Sequence, residues 1–445
     1  MQGTFKLPNS IIRTYQKYGF PTRLTKNLAP LSPVGKGNNP IITMPTLHFA
    51  LITAALTLSV SFGPLPEGNP RMLLGAACTN PFDLPPSAND TFRTRDLTFR
   101  LETVVDEVRI PWGMDWLPDG SMLITTLRGP LYHFDKQGTL TEIQGVPEVK
   151  ARGQGGLLDV QLHPNYTENG WIYLSYSKPH PEKGDSEATT AVVRARLQED
   201  RLVDREIIFE ALPYSTTRRH YGSRLEFDRE GYLFLTVGDR GNRDENPQSL
   251  GNHCGKIHRL NDDGSIPPDN PFVDQEGAVA SIWSYGHRNP QGLALHPETG
   301  VLWAHEHGPR GGDEVNIIRK GHNYGWPVIS YGINYSGTRF TDKTEAPGMD
   351  QPVLYWDPSI APCGMDFVSG DRYPAWKGDL LVGSLKFEYL KRCIMDGDEV
   401  VGQENLLEDI GRLRQVKMGP DGYIYLAVED ADAIFRIVPV EDQVR

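Results

Sequence analysis

Short apolar runs recur in pairs along most of the chain, and a turn rich in Asp, Asn, Gly or Pro separates the two runs of each pair. This pattern is typical of β-hairpins, because Gly readily adopts the positive φ that tight hairpin turns require. Six copies of the pattern are present, which predicts six related antiparallel units. The copies are MDWLPDGSMLITTL from Met114, DVQLHPNYTENGWIYLSYS from Asp159, LEFDREGYLFLTVGD from Leu225, LALHPETGVLWAHEHG from Leu293, MDFVSGDRYPAWKGDLLVGSL from Met365 and VKMGPDGYIYLAVED from Val416.

The spacing of the copies indicates how they are assembled. Successive copies begin 45 to 72 residues apart, which is enough chain for a four-stranded blade with insertions. We therefore predict an all-β fold, a six-bladed β-propeller of four-stranded antiparallel blades, with a β-sandwich of coincidental hairpins as the alternative. Since closing the ring removes exposed strand edges, FRLETVV near Phe99 is expected to pair with AIFRIVPV near Phe435.

Composition agrees with this fold and limits the partners. The 45 Gly and 35 Pro suit many short strands and tight turns. A formal net charge of -12 argues against a nucleic-acid partner, because phosphate binding needs a basic face, and a small polyol or sugar fits better. The four cysteines show no metal-ligand spacing, so they are either buried thiols or include one disulfide. They are Cys78, Cys254, Cys363 and Cys393.

The first ninety residues have a different character from the rest. Residues 37–66 contain no Asp, Glu, Lys or Arg, and their apolar centre, 48–62, is too short to span a bilayer and resembles the core of a signal peptide. The segment lies well inside the chain, so Met44 is an alternative start. The sequence LLGAAC makes Cys78 an alternative lipid anchor. We therefore expect residues 1–90 to be a signal and linker segment of an exported protein, periplasmic or extracellular, and residues 91–445 to be the propeller domain.

Polar, glycine-rich segments lie between the hairpins, and loops of this kind often carry function. They are GQGGLLD at Gly153, RRHYGSRL at Arg218, YGHRNPQG at Tyr285, EHGPRGGDE at Glu306, NYGWP at Asn323 and GRLRQV at Gly411. Their glycines do not indicate a dinucleotide site, because no βαβ unit surrounds them.

Together these segments resemble the soluble aldose sugar dehydrogenases that depend on pyrroloquinoline quinone (PQQ), relatives of the soluble quinoprotein glucose dehydrogenases. The resemblance covers about residues 98–438, and its most specific parts are IWSYGHRNPQG, EHGPRGGDEVN and GHNYGWP, in that order. It implies an enzyme that oxidises the anomeric carbon of an aldose to a lactone, with PQQ and Ca²⁺. It also implies a diffusible or membrane electron acceptor, no transmembrane domain in the mature protein, and a monomer or homodimer.

The resemblance assigns the general base to His220, which would remove the proton of the anomeric hydroxyl while hydride passes to the quinone. A neutral imidazole suits this task, since its ordinary pKa lies near working pH. Without the resemblance, a surface histidine beside two arginines is the alternative. Glucose-specific relatives carry an acidic residue immediately before this histidine, whereas this chain has Arg219. What orients His220 is therefore left open.

PQQ carries three carboxylates, so its pocket needs cations and hydrogen-bond donors. Arg412 and Arg414 alternate on a predicted strand and can face one side. Taken singly, each basic residue could equally be a solvated surface charge. By resemblance, the cofactor would be held by Gln154, Arg288, Asn289, Ala361, Lys386, Arg412 and Arg414.

Calcium is the expected metal, because a hard cation with oxygen ligands can polarise a quinone carbonyl. By resemblance, the carbonyls of Gly308 and Pro309 would bind a calcium beside the cofactor, whereas Glu314 and the carbonyl of Tyr324 would bind a structural calcium. The alternative for the acidic residues of EHGPRGGDE is loop capping or an ion pair with the arginine of that segment. The two histidines of WAHEHG have no evident third ligand, which argues against zinc.

Two other functions fit the predicted fold. A calcium-dependent propeller lactonase would hydrolyse a sugar lactone without an organic cofactor, and Lys386, Arg412 and Arg414 argue against it. A non-enzymatic binding propeller would have no need of His220 and Gln154. The motifs leave the preferred aldose undetermined, because loop lengths around the channel set that preference.

Overall fold

The computed structural model describes residues 91–440 of the chain. The predicted signal and linker segment, with Cys78, lies outside the described residues, as do residues 441–445. The described residues form 25 strands in six antiparallel sheets. The strands are β1 (Thr91–Arg93), β2 (Thr98–Val105), β3 (Pro111–Trp116), β4 (Met122–Thr126), β5 (Leu131–Phe134), β6 (Leu140–Glu142), β7 (Leu157–Leu162), β8 (Trp171–His180), β9 (Gly184–Gln198), β10 (Arg201–Glu210), β11 (Leu225–Phe227), β12 (Leu233–Val237), β13 (Lys256–Leu260), β14 (Ile282–Tyr285), β15 (Pro290–Leu295), β16 (Leu302–Glu306), β17 (Asp313–Ile317), β18 (Leu354–Trp356), β19 (Pro362–Phe367), β20 (Leu380–Ser384), β21 (Leu390–Asp396), β22 (Glu399–Leu406), β23 (Leu413–Met418), β24 (Ile424–Val428) and β25 (Ala433–Pro439).

The sheets are the blades of a six-bladed β-propeller. Blades 1 to 5 are the successive groups of four strands from β3 to β22, and blade 6 contains β23, β24, β25 and β2, with β1 added at its outer edge. The first strand of each blade contacts the first strand of the next, and β23 contacts β3, so these strands surround a central channel. The six hairpins of the sequence are the first two strands of each blade. The predicted fold is confirmed.

The ring closes by pairing the two ends of the propeller. Strand β2 pairs with β25 in antiparallel register, with Phe99 opposite Pro439 and Thr103 opposite Phe435. Phe99 is fully buried and its ring meets Trp376 of blade 5 edge-on. The predicted closing pair is therefore confirmed, and it gives β25 a partner on each side, β24 and β2.

The hydrophobic core lies between neighbouring blades. Trp303 of blade 4, fully buried, packs edge-on against Phe367 of blade 5, with ring centroids 5.5 Å apart. Burial of apolar area at about 25 cal/mol per Å² stabilises each such contact. Because neighbouring blades cover both faces of each sheet, the central strands are continuous hydrophobic runs. The strand Ile424–Val428, which is buried throughout, is an example.

Helical structure is confined to short connections among residues 91–440: an α-helix, α1 (Tyr166–Asn169), and a 3₁₀ helix (Pro374–Trp376). No helix in this part of the chain is long and apolar enough to cross a membrane. The three cysteines within it are free and buried, so the buried-thiol alternative holds for them. They are Cys254, Cys363 and Cys393.

Candidate functional site

Two cavities lie at the mouth of the channel where the inner strands of the blades begin. The channel cavity has a volume of about 420 Å³ and is lined by residues such as Trp112, Gln154 and Arg414. The histidine cavity has a volume of about 310 Å³ and contains His220 and Arg288. Tyr335, which is 72% exposed, lines both cavities. A third cavity, of about 680 Å³, lies on blade 2 and is lined by none of the predicted site residues.

His220 lies in the loop between β10 and β11 and is held at two points. Its backbone N–H donates to Oε1 of Gln154 at 2.6 Å, and its Nδ1 donates to Oδ1 of Asp239, also at 2.6 Å. Because the carboxylate can only accept, Nδ1 carries the proton of the neutral imidazole, and Nε2 is left as the acceptor. His220 is therefore oriented as a base with Nε2 as its acceptor atom, and the residue lines the histidine cavity.

Asp239 answers the question that the sequence leaves open, namely which group orients His220. It follows β12 and is almost completely buried. Its Oδ1 also accepts from the N–H of Gly241 at 2.7 Å, and its Oδ2 accepts from Nε1 of Trp326 at 3.0 Å. The carboxylate is thus fixed by three donors, and the orienting acid comes from a neighbouring loop rather than from the position before His220.

The two groups titrate in ways that suit a base and its partner. Burial lowers the pKa of His220 below its ordinary value, and the hydrogen bond to Asp239 only partly opposes this. Burial alone would raise the pKa of Asp239, but the hydrogen bond from His220 and the charge of Arg288 outweigh it and lower that pKa. Near neutral pH the imidazole is therefore neutral and the carboxylate ionised.

Arg412 and Arg414 face the channel cavity together, as their alternation predicted. Both contact Glu429: Nε of Arg412 lies 2.6 Å from Oε2, and Nε of Arg414 lies 2.8 Å from Oε1. One carboxylate therefore orients two guanidinium groups and leaves the cluster one positive charge. Arg414 also points an N–H at Sγ of Cys363, at 3.3 Å.

A buried cation that the sequence did not single out packs against three residues that line the channel cavity, Trp112, Gln291 and Arg414. Arg224 is almost fully buried and stacks over the ring of Trp112, 4.0 Å from its centroid. Its Nε donates to the carbonyl of Gln291 and its Nη2 to the carbonyl of Arg414. Since these partners belong to blades 4 and 6, Arg224 links three blades across the channel.

Arg288 and Asn289 lie side by side before β15. Arg288 lines the histidine cavity, donates to the carbonyl of His307 at 3.0 Å and lies over the ring of Trp326. Asn289 accepts the N–H of Gly222 through Oδ1, but its buried Nδ2 has no partner among residues 91–440. A buried unsatisfied donor of this kind is a group that a ligand acceptor can satisfy.

The other predicted cofactor residues occupy different places. Gln154 and Ala361 line the channel cavity, and the backbone of Ala361 has a positive φ of 53°. Lys386 is exposed beside the ring of Phe387 and is not among the residues that line either cavity. The structure thus brings Gln154, Ala361 and the two arginines of GRLRQV together, whereas Lys386 lies outside the lining of both cavities, next to the lining residue Leu385.

The predicted carbonyl ligands for a calcium lie in the turn between β16 and β17. The N–H of Gly308 donates to Oδ1 of Asp313 at 2.8 Å, and Oδ2 of Asp313 accepts from Ala361 at 2.7 Å. Asp313 therefore caps this loop, as one of the alternatives proposed. Pro309 lines the histidine cavity. Within residues 91–440, Arg310 forms no ion pair.

Glu314 lies beside a second carboxylate, since it is directly opposite Glu306 in the pairing of β16 with β17. Burial, together with the charge of Glu306, raises the pKa of Glu314 to about 8. The buried Oδ1 of neighbouring Asn316 has no partner among the described residues. Two close carboxylates and an unsatisfied carbonyl oxygen fit a hard cation. Tyr324 stacks on His287, which in turn donates to Glu306.

No group of three His, Cys, Asp or Glu side chains gathers as a metal site in the described part of the chain. The resemblance implies backbone carbonyls among the ligands of a calcium. His305 and His307 each contact a backbone carbonyl through Nε2, those of Gly364 and Pro362. Both imidazoles are thus used in packing, in agreement with the argument against zinc.

Comparison with known families gives a match across almost the whole propeller. Residues 108–437 match the family described as Glucose / Sorbosone dehydrogenase. The chain belongs to this family. The family match confirms the resemblance that the motifs indicated.

Relatives of this chain include named sugar dehydrogenases. It is 44% identical to aldose sugar dehydrogenase YliI of Escherichia coli over 342 residues, which are 75% of this chain and 91% of the relative. It is 30% identical to quinoprotein glucose dehydrogenase B of Acinetobacter calcoaceticus over 290 residues, 59% of this chain and 60% of the relative. The PQQ-bound aldose sugar dehydrogenase of Streptomyces coelicolor superposes with a TM-score of 0.62 at 27% identity, covering 80% of this chain and all of that one.

Proposed function

We propose that the chain is a quinoprotein dehydrogenase that oxidises the anomeric carbon of aldose sugars to lactones, with His220 as the general base. The observation that carries the proposal is the His220–Asp239 pair, which lies in a 310 Å³ cavity next to an arginine-lined channel cavity. A cavity of this size suits a monosaccharide, because small-molecule pockets begin at about 300 Å³.

His220 would accept the proton of the anomeric hydroxyl at Nε2. The hydroxyl oxygen loses this proton and the anomeric carbon loses a hydride, so C–OH becomes C=O. In a cyclic aldose the product is a lactone. Asp239 would stabilise the imidazolium that forms, because its ionised carboxylate is already hydrogen-bonded to Nδ1. Gln154 would keep the loop in place by accepting the backbone N–H of His220.

The residues of the channel cavity fit a tricarboxylate cofactor. Arg412 and Arg414 supply guanidinium groups, and Gln154 and Ala361 line the same space. Asn289, which contacts the backbone of the lining residue Gly222, has an unsatisfied buried N–H. When bound, PQQ would accept the hydride, and Ca²⁺ would polarise its quinone carbonyl. The cofactor would therefore lie in the channel cavity and the sugar in the histidine cavity.

Calcium would be held by oxygen atoms at two places. The carbonyls of Gly308 and Pro309 would bind the ion beside the cofactor. Glu314 and the carbonyl of Tyr324 would bind the structural ion, where the charge of Glu306 and the free Oδ1 of Asn316 support cation binding.

We further propose that the enzyme is exported to the periplasm or the extracellular space, on the strength of the apolar segment 48–62. Cys78 remains an alternative lipid anchor. An exported monomer or homodimer would pass its electrons to a diffusible or membrane acceptor.

The proposal is tested by dye reduction with purified apoprotein and a panel of aldoses, with PQQ and Ca²⁺ added singly and together. Activity is expected only when both are present. If no combination reduces the dye while the protein opens sugar lactones in the presence of Ca²⁺ alone, the lactonase alternative replaces the proposal. If PQQ also fails to co-elute with the protein on a sizing column and no lactone is opened, a binding propeller remains.

A further inference from the structure

The charged side chains of the histidine cavity are not balanced. Three arginines and two aspartates line it: Arg219, Arg243, Arg288, Asp239 and Asp244. Asp239 is fully used by His220 and its other two donors, and Asp244 is paired with Arg243 at 2.7 Å. Arg288 donates to a backbone carbonyl and lies over an indole ring.

Two cations of this cavity lack a carboxylate partner among residues 91–440: Arg288, which is buried, and Arg219. Arg219 is the one of the two whose side chain is exposed, and it takes part in no ion pair within 4.0 Å in this part of the chain. Its guanidinium lies over Gly241, where a Cβ would come within 3.0 Å of Nε and 3.3 Å of Nη2. The N–H of Gly241 is one of the donors to Asp239. The Arg219 guanidinium therefore lies against a residue that directly contacts the His220–Asp239 pair.

The backbone around Arg219 is fixed, although its guanidinium is free. The carbonyl of Arg219 accepts from Nη1 of Arg240 at 2.5 Å, and Arg240 is itself buried and stacked over the ring of Tyr221. The charge is therefore presented from a rigid segment at the cavity wall. Such placement reduces the ordering entropy that a ligand contact would otherwise cost.

The remaining wall offers neutral donors and acceptors that suit sugar hydroxyls, from Asn242, Asn334 and Tyr335. A monosaccharide with its anomeric carbon at His220 would extend its far end toward the opposite wall of this 310 Å³ space. A chain with a formal net charge of -12 repels anions at long range. At short range the unpaired guanidinium of Arg219 attracts them instead.

We infer that Arg219 makes this enzyme selective for aldoses that carry an anionic group remote from the anomeric carbon, a carboxylate or a phosphate. A guanidinium pairs with either group through two parallel N–H donors. The inference rests on the proposed aldose oxidation at His220 and specifies its substrate class.

The experiment compares kcat/KM of the holoenzyme, loaded with PQQ and Ca²⁺, for glucose, glucuronate and glucose 6-phosphate. Wild type is expected to favour at least one anionic sugar over glucose by about 10-fold, the size of one charge-assisted contact. In Arg219→Gln the anionic-to-neutral ratio falls by about 10-fold, mainly through KM, and in Arg219→Asp it falls further. Arg218→Gln, a change at the exposed neighbour that does not line the cavity, keeps the wild-type ratio.

The two anionic sugars identify the group. Preference for glucuronate alone assigns a carboxylate, preference for glucose 6-phosphate alone assigns a phosphate, and both together assign an anionic group in general. A wild-type enzyme that uses glucose at least as well as both anionic sugars overturns the inference. So does a ratio that Arg219→Gln leaves unchanged.

Failure of the proposed function gives a different result, since then no aldose is oxidised by any variant. Titration calorimetry with glucuronate, glucose 6-phosphate and glucose then decides the inference by itself. Tighter binding of an anionic sugar that Arg219→Gln removes supports it, and equal affinities for all three overturn it.

Discussion

At the scale of single residues, the backbone conformation of His220 is the notable feature. Its φ of 59° lies in the left-handed region, which is unfavourable for a residue with a side chain. Gly238, directly after β12, accommodates it, since a Cβ there would come within 2.3 Å of the His220 carbonyl oxygen. The hydrogen bonds to Gln154 and Asp239 hold the strained residue in place. The imidazole is therefore oriented before any substrate arrives.

His220→Ala is expected to abolish turnover while PQQ still binds, because His220 lines the histidine cavity and not the channel cavity that the cofactor would fill. Dye reduction and a PQQ titration measure the two properties separately. Loss of both would make His220 a structural residue.

The pH dependence of kcat/KM should reveal the protonation of His220. The base works when neutral, so activity is lost as the pH falls through its pKa, which burial lowers below 6.5. In Asp239→Asn the acid limb should move to still lower pH, since the amide no longer favours the imidazolium, and the rate should fall by about 10²-fold or more. An acid limb that moves to higher pH in this variant would contradict the assigned role of Asp239.

The sequence could indicate His220 through resemblance, but it could not indicate Asp239. The two residues are 19 positions apart, and only the hairpin of blade 3 brings them together. Glu429 was missed for the same reason: Arg412 and Arg414 alternate visibly, whereas their shared carboxylate belongs to the residue that follows the next strand, β24. Side-chain partners across strands depend on register, which a single sequence does not give.

At the scale of elements, the loops around the mouth owe some of their glycines to packing. A Cβ on Gly156 would lie 1.7 Å from the carbonyl oxygen of Leu127, at the turn between β4 and β5. The segment GQGGLLD thus enters blade 2 in contact with the backbone of blade 1. Its glycine content, taken from the sequence as a sign of function, also serves the scaffold.

Gly156→Ala should therefore destabilise the protein by about 1–3 kcal/mol or more, the cost of forcing an atom into a filled space. Gly251→Ala is the matched control, because its nearest contact lies at 3.4 Å and its φ is not positive, and it should change stability by about 0.5 kcal/mol at most. Urea unfolding followed by tryptophan fluorescence measures both. Equal stability of the two variants would show that the loop can shift.

Arg412→Ala should weaken PQQ binding by about 10-fold or more, through the loss of a charge-assisted contact and because Glu429 then offsets Arg414 alone. Equilibrium titration with PQQ measures the effect. Arg95→Ala serves as the control, because this side chain is 81% exposed and lies on blade 6 outside both cavities, and it should leave the affinity unchanged. Equal affinities for the two variants would remove Arg412 from the cofactor site.

At the scale of the whole molecule, the ring depends on one pair of strands contributed by distant parts of the chain. The six hairpins predicted the number of blades, and the strand-like segments near Phe99 and Phe435 predicted this closing pair. The outer strands could not be predicted as well, because they range from the three residues of β18 to the fifteen of β9 and are partly exposed. The connection between β17 and β18, which brings Trp326 and Tyr335 to the mouth, has no repeat pattern to mark it.

Phe99→Ala tests this dependence. The side chain is fully buried at the closing strand, so its removal should lower the free energy of unfolding by about 3–5 kcal/mol. Chemical denaturation measures the loss. A change below about 1 kcal/mol would mean that the closing strand contributes little to the ring.

The closing pair also sets when the molecule can be finished. Arg436 of β25 forms an ion pair with Glu102 of β2, 334 residues earlier in the chain. At about 5–20 residues per second, translation would separate the two strands by roughly 20–70 s. During that time β2 can pair only with the short β1 and lacks its partner β25, and an unpaired strand edge is a template for association with other chains. The ring therefore cannot close until β25 has been synthesised, and until then β2 exposes an edge at which the nascent chain can aggregate.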